Sequence, residues 1–249
     1  MKEKKIAILG LGYVGLPLAL QLSLSYNVIG FDTDHTRIKE LRKGIDKTLE
    51  VSESLLKKQQ KNNLSFTTQS KEISDCNFYI ATVPTPIDER KKPDFSALKN
   101  VCKTIGKLLK SGDTVIFEST VYPGATEEIC GPVLEKFSNN LKVGKDFFLG
   151  YSPERVNPGD KVHTIDKINK VVSGQTHKVE KDLLEIYSNL TSGEVYLAKN
   201  IKVAEASKVI ENAQRDINIA FINEVAKICT KINISSYDVL EASLTKWNF

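Results

Sequence analysis

Over residues 1–199 the apolar positions form short continuous runs, separated by stretches in which they recur three or four apart. Residues 6–10 read as a buried strand, 14–24 as a helix, 27–32 as a second strand and 36–42 as part of a second helix. Residues 64–68 and 78–83 are further strands, and 95–109, 114–118, 126–137 and 146–150 continue the alternation. A strand at 168–173, a helix around 179–190 and a strand at 194–197 complete it. Strands alternating with helices predict a parallel sheet covered on both faces. Strands buried on both faces are apolar throughout rather than at every second position. The expected fold is α/β, a Rossmann-like doubly wound parallel sheet over 1–199.

The pattern changes at residue 200. Residues 201 to about 232 hold no proline or glycine, and Val203, Ala206, Ile210, Ala213, Ile217, Phe221 and Val225 fall mostly three or four apart. This predicts one long helix, well beyond the usual length. A short second helix is expected after Ser235 or Ser236, either of which can cap it. Trp247 and Phe249 stand at the end of the sequence, where large aromatics need core or interface cover. Segment 200–249 thus reads as a separate helical segment.

Charge narrows the partners. The formal charge of +4 comes from 35 basic and 31 acidic side chains interleaved along the chain. No basic stripe of the kind nucleic acid needs is present, so no nucleic-acid partner is expected. A modest positive balance suits an anionic small molecule. Lys2, Lys4 and Lys5 before an apolar run imitate a secretion signal, but glycines interrupt the run. No apolar stretch is long enough for a bilayer, so no membrane partner is expected. Cys76, Cys102, Cys130 and Cys229 are 26, 28 and 99 residues apart, without a companion histidine cluster. They read as buried free thiols of a reducing, cytoplasmic protein, with no metal site. His35, His163 and His177 read as surface histidines.

The sharpest local signal is Gly10-Leu11-Gly12-Tyr13-Val14-Gly15, which follows a strand and opens a helix. Gly10 suits a tight turn, Gly12 lets backbone approach a pyrophosphate, and Gly15 lets helix pack close to strand. The helix N-terminus presents its N–H groups to the phosphates. Asp32 comes 22 residues after Gly10, at the end of the second strand. A carboxylate there accepts from the adenosine ribose and repels a 2′-phosphate, which favours NAD over NADP. Arg37, one turn into the next helix, complicates the choice, because arginine also accepts a 2′-phosphate. The candidate cofactor contacts are Gly10, Gly12, Tyr13, Val14, Gly15, Asp32, Arg37, Thr85 and Thr120.

Four further motifs follow the glycine turn, which itself extends to Pro17. They are residues 83–86 (VPTP), 118–124 (ESTVYPG), 152–159 (SPERVNPG) and 208–212 (KVIEN). In this order, and over essentially the whole chain, they resemble the UDP-glucose/GDP-mannose dehydrogenase family. Residues 155–160 and 246–249 (KWNF) are most similar to the UDP-N-acetylglucosamine/galactosamine 6-dehydrogenases of capsule and O-antigen synthesis. The resemblance implies oxidation of a UDP-sugar C6 alcohol to a carboxylate with two NAD, through a cysteine thiohemiacetal and thioester. It places the nucleophile in a Gly-Gly-His-Cys motif just past a segment like 247–249. No such motif occurs in these residues. The chain is therefore expected to stop before the nucleophile and the UDP-binding domain, and to be inactive alone. The long helix is expected to form a homodimer.

On the same resemblance Lys208 and Asn212 are catalytic, the lysine stabilising an oxyanion and the amide orienting it or a water. Read alone, the pair lies on one helix face with Glu205 and Asp216 and is an ordinary solvated stripe. Glu154 is implied to activate water, against the plainer reading of an ion pair with Arg155. Thr120, at the carboxyl edge of the sheet, holds a water or the nicotinamide ribose, or is a simple strand-end threonine. Thr85 lines the cleft. Some members carry a second glutamate four residues after Glu154; Pro158 stands there, which puts a two-glutamate relay in doubt. Two other readings stay open: a non-catalytic dinucleotide-binding or interaction module, and a small 3-hydroxyacid-type dehydrogenase. The latter needs more helical domain than about 50 residues provide.

Overall fold

The computed structural model describes residues 3–157 and 159–249. Pro158, where the second glutamate would stand, lies outside them, as do Met1 and Lys2. The strands are β1 (Lys5–Leu9), β2 (Asn27–Phe31), β3 (Leu64–Thr67), β4 (Phe78–Ala81), β5 (Thr114–Phe117), β6 (Phe148–Tyr151), β7 (Lys170–Gly174) and β8 (Val195–Leu197). They form one sheet in the order β3-β2-β1-β4-β5-β6-β7-β8. The order reverses at β1, which pairs β2 on one side and β4 on the other. Open α/β sheets bind ligands at the carboxyl ends of such a pair.

Successive residues of a strand face opposite sides of its sheet. Ile6 and Ile8 of β1 belong to one core with Ile80, Ile116 and Val172, while Ala7 and Leu9 belong to the other with Tyr79, Val115 and Phe117. The first core is closed by α1 (Gly15–Leu22), α2 (His35–Arg42) and α6 (His177–Ser188), the second by α4 (Ser96–Gly106), α5 (Gly131–Phe137) and the first turn of α7 (Ile201–Lys231). The double winding is as expected. One pairing departs from it: β7 runs antiparallel to β6, with Gly150 opposite Gly174 and Tyr151 opposite Ser173. A parallel return needs a crossover, usually a helix. Residues 152–169 supply none among those described, so the chain turns back beside β6.

A helix the apolar pattern did not announce, α3 (Glu53–Gln60), begins at Ser52, whose hydroxyl accepts from Leu55 N. It buries only Leu56 and Gln59, too thin a stripe to register as periodicity. Before α5, residues Thr126–Cys130 make one π-helical turn.

The chain divides into two compact units inside α7, one ending at Lys208 and the other beginning at Val209. In the second unit α7 ends at a turn where Asn233 takes φ 56° and Ile234 N donates to Cys229 O at 3.1 Å. Asparagine is among the few residues that tolerate this left-handed cap. Ser235 then caps α8 (Ser236–Leu244), accepting from Asp238 N at 3.2 Å. Ile210, Ile217, Phe221, Ile228 and Leu244 are exposed, and Trp247 is 92% exposed. No helix among the described residues is long and apolar enough to cross a membrane.

Candidate active site

β1 delivers the chain into a turn held by β2 and by the end of β4. Gly10 N donates to Phe31 O at 2.9 Å, and the Thr82 hydroxyl donates to Gly10 O at 2.7 Å. Gly10 itself sits at φ +100°, open to glycine and strained for other residues. A Cβ on Gly15 would lie 1.8 Å from Gly10 O, so the helix packs on the turn at a distance only glycine permits. A Cβ on Gly12, in contrast, would meet nothing within 4 Å. The open space beside Gly12 could hold a pyrophosphate. The α1 N-terminus behind it has no side-chain cap and no acid in its first turn, which leaves its N–H groups and positive dipole end to an anion.

Asp32 stands beside the turn. Its carboxylate accepts from Leu11 N at 2.8 Å and Asp34 N at 3.0 Å, and lines a shallow cavity with Leu11, Gly12, Thr36 and Thr48. Arg37 lies on that cavity too, but its guanidinium is held inside the protein: Nε donates to Leu11 O at 2.9 Å and Nη1 to Asp46 Oδ1 at 2.8 Å. Asp46 is buried, and also accepts from the backbone N of Thr48, Glu50 and Val51. Burial pushes its carboxyl up, but these donors and Arg37 hold it below the usual range. Arg37 therefore tethers the loop after α2 to the glycine turn. Asp46 and Thr82 are supports that the sequence reading missed; neither belongs to a motif.

The carboxyl ends of β4 and β5 meet above the turn. Thr85 donates to Thr120 O, and the Ser119 hydroxyl donates to Val83 O at 2.6 Å, so the two proline-containing loops are pinned to each other. Thr120 is exposed at the sheet edge. Past Thr120, Gly124 N and Thr126 N donate to the carboxylate of Glu205 on α7, the Thr126 bond at 2.9 Å. Glu205 is fully buried. This corrects the expectation that it extends a solvated face: it caps the helical segment after β5. Lys208 ends the first unit half-buried, and Asn212 is exposed in the second, four residues on along α7.

Glu154, in the loop after β6, is 9% exposed. Its Oε1 accepts from Arg155 N at 2.7 Å and Val156 N at 2.6 Å, and its Oε2 lies 3.5 Å from Lys170 Nζ. The charge facing it is thus Lys170, which the sequence reading did not single out. A lysine at the start of a strand carries no sign of being fully buried. Burial pushes Glu154 up, but Lys170 and the two N–H donors outweigh it and hold the carboxyl below its usual range. Glu154 lines one cavity with Tyr13, Val14, Pro17, Val156 and Lys161. Tyr13 and Val14 of the turn therefore border the same space as the candidate base, while Gly12 and Asp32 line a separate one.

All four cysteines are buried. Burial pushes the Cys76 thiol up to about 12, and a hydrogen bond with Cys130 raises Cys102. None of Cys76, Cys102 and Cys130, which share a unit with Glu154, lines its cavity. His163 and His177 are exposed beside Asp160 and Glu180, and no group of three metal-ligating side chains occurs among the described residues.

Residues 4–191 match the model of the UDP-glucose/GDP-mannose dehydrogenase family, NAD binding domain, and residues 202–249 match the central domain of the same family. The chain belongs to this family. A UDP-N-acetyl-D-glucosamine 6-dehydrogenase of Pseudomonas aeruginosa is 54% identical over 249 residues, all of this chain and 58% of that protein. Protein CapL of Staphylococcus aureus is 52% identical over 247 residues, 99% of this chain and 57% of that protein. Among solved structures, a UDP-D-ManNAc dehydrogenase from Pyrococcus horikoshii superimposes with TM-score 0.92 at 31% identity, covering 98% of this chain and 58% of that one. The chain thus spans somewhat more than half the length of the relatives it matches. Membership sets aside a small 3-hydroxyacid-type dehydrogenase, and the matched domain is an NAD-binding one.

Proposed function

We propose that this chain supplies the cofactor-binding half of a nucleotide-sugar 6-dehydrogenase that converts a UDP-N-acetylhexosamine to the uronate in the cytoplasm. One observation supports the reading: Glu154, whose carboxyl is held below its usual range, lines one cavity with Tyr13 and Val14 of the glycine turn. The 52–54% identity to a UDP-N-acetyl-D-glucosamine 6-dehydrogenase and CapL supports the substrate class. Bound NAD supplies the hydride acceptor. The glycine turn seats the pyrophosphate, Asp32 takes the adenosine ribose, and Thr85 and Thr120 line the nicotinamide end. By the family resemblance Lys208 and Asn212 stabilise the oxyanion, and Glu154 takes a proton from the water that releases the product.

The 249 residues alone are expected not to complete this oxidation. All four thiols are buried, and Cys76, Cys102 and Cys130 stand outside the Glu154 cavity, so the aldehyde finds no accessible nucleophile and the second hydride transfer has no thioester route. Incubation with NAD and UDP-N-acetylhexosamines, followed by NADH absorbance and product mass, checks this. Bound NAD without uronate is the expected result. Uronate at two NADH per sugar would refute it and make one of the four cysteines the nucleophile.

We also propose a homodimer through the long helix. Within the second unit Ile210, Ile217, Phe221 and Ile228 of α7 are exposed, and an apolar stripe of this length needs cover. Light scattering should give twice the chain mass of 27.8 kDa. A clean monomer at micromolar concentration would count against the dimer.

A further inference from the structure

Behind Glu154 lies a set of ionisable side chains to which the dehydrogenase chemistry assigns no part. Glu118, just after β5, is 1% exposed, and Lys170 at the start of β7 and Tyr187 on α6 are fully buried. Lys170 Nζ lies 3.1 Å from Glu118 Oε2 and 3.5 Å from Glu154 Oε2, and donates to Pro153 O at 3.3 Å. The Tyr187 hydroxyl bonds Glu118 Oε1, and its ring centroid is 5.4 Å from the ammonium. Ser152 Oγ, buried and without a hydrogen-bond partner, lies against Tyr187.

We propose that Lys170, with Glu118 and Tyr187 behind it, is the positioning unit of Glu154: a buried cation set between two buried carboxylates, in which Glu118 carries the cluster's proton and Glu154 stays an ionised base. The inference rests on reading Glu154 as the group that activates water. Two ionised carboxylates and one ammonium would leave a net negative charge in a low-dielectric site, which is costly. One proton makes the cluster neutral.

The partners decide which acid takes it. Glu154 Oε1 faces two backbone N–H groups, and Oε2, which has no hydrogen-bond partner, faces the Lys170 ammonium at 3.5 Å; all three only donate, so a proton on either oxygen would meet other hydrogens. Glu118 Oε1 faces a tyrosine hydroxyl, which can turn from donor to acceptor and pass its own hydrogen to the orphan Ser152 Oγ. The directions of titration agree. Burial pushes Glu118 up to about 7, whereas Glu154, with Lys170 and its two donors, lies below its usual range. Burial lowers Lys170, but the two carboxylates outweigh it and keep it charged.

The charged and titratable groups facing Glu154 are Lys170 from β7, Glu118 just after β5, Tyr187 from α6 and, across the cavity, Tyr13, Glu50, Asp160, Lys161 and Asp166. The cavity groups border open space, where water weakens their influence.

Carboxyl 13C NMR of the full 249-residue chain tests the proposal, with the Glu154 signal assigned by its loss in Glu154→Gln. In the unaltered chain Glu154 should titrate below the ordinary glutamate range. Lys170→Met, similar in reach but uncharged, should raise that titration by at least about one pH unit, a tenfold change in proton affinity. Lys170→Arg, which keeps the cation, should restore most of the low value. Glu118→Gln keeps the cluster neutral and remains informative if Lys170→Met does not fold; in it Glu154 should titrate as low as in the unaltered chain or lower. A Glu154 titration unchanged in folded Lys170→Met, or raised in Glu118→Gln, overturns the proposal. The readout is the carboxyl itself, so an error in the assigned enzyme chemistry would leave these titrations as they are.

Discussion

Gly15→Ala is expected to abolish NAD binding and to lower stability by about 3 kcal/mol or more, the upper range for forced overpacking. The added methyl would stand 1.8 Å from Gly10 O and 2.5 Å from the Thr82 hydroxyl. The first of these is backbone, so either α1 or the turn must move, and the turn is the phosphate seat. Gly12→Ala makes the contrast. Its methyl meets no protein atom within 4 Å, so urea unfolding should be nearly unchanged. The methyl occupies the space meant for the pyrophosphate, so NAD affinity should still fall at least about tenfold, or 1.4 kcal/mol. Equal loss of stability in the two variants would mean that the turn is not built around a ligand.

Glu118→Gln is expected to change how stability depends on pH. The folded chain holds a proton on Glu118 up to about pH 7, against an ordinary value of 4.5. A raised acid contributes stability that is fully present below the unfolded value and is lost as pH rises through the folded one. The unaltered chain should therefore lose about 3 kcal/mol between pH 4.5 and 8 relative to Glu118→Gln, taking 1.36 kcal/mol per unit. Urea unfolding at several pH values measures it. Parallel stability curves for the two proteins would show that Glu118 carries no buried proton.

The sheet was legible because strands buried on both faces leave unbroken apolar runs such as Ile6–Leu9, and because turn and acid sit at fixed distances along the chain. Asp32 and the three glycines could be placed from those distances alone. The antiparallel β7 could not, since nothing in residues 168–173 encodes the direction of the neighbouring strand. Lys170 and Glu205 were hidden for a related reason. A charged side chain reads as surface unless its partners are known, and the partners here come from 52 residues away for Lys170 and from about 80 for Glu205. Arg37 was ambiguous in sequence because its counterpart Asp46 belongs to no motif.

That last contact gives the cofactor choice its direction. Arg37 spends Nε on Leu11 O and Nη1 on Asp46, and its third nitrogen, Nη2, is unpaired but buried, so the guanidinium as placed does not reach out to clamp a 2′-phosphate in the way that would favour NADP. Asp32, with two backbone donors fixing its carboxylate at the ribose side, would repel that phosphate. Titration calorimetry of the 249-residue chain with NAD and with NADP tests the account most directly. The account predicts NAD binding at least about tenfold tighter, a difference of 1.4 kcal/mol. Equal affinities, or tighter binding of NADP, would contradict it.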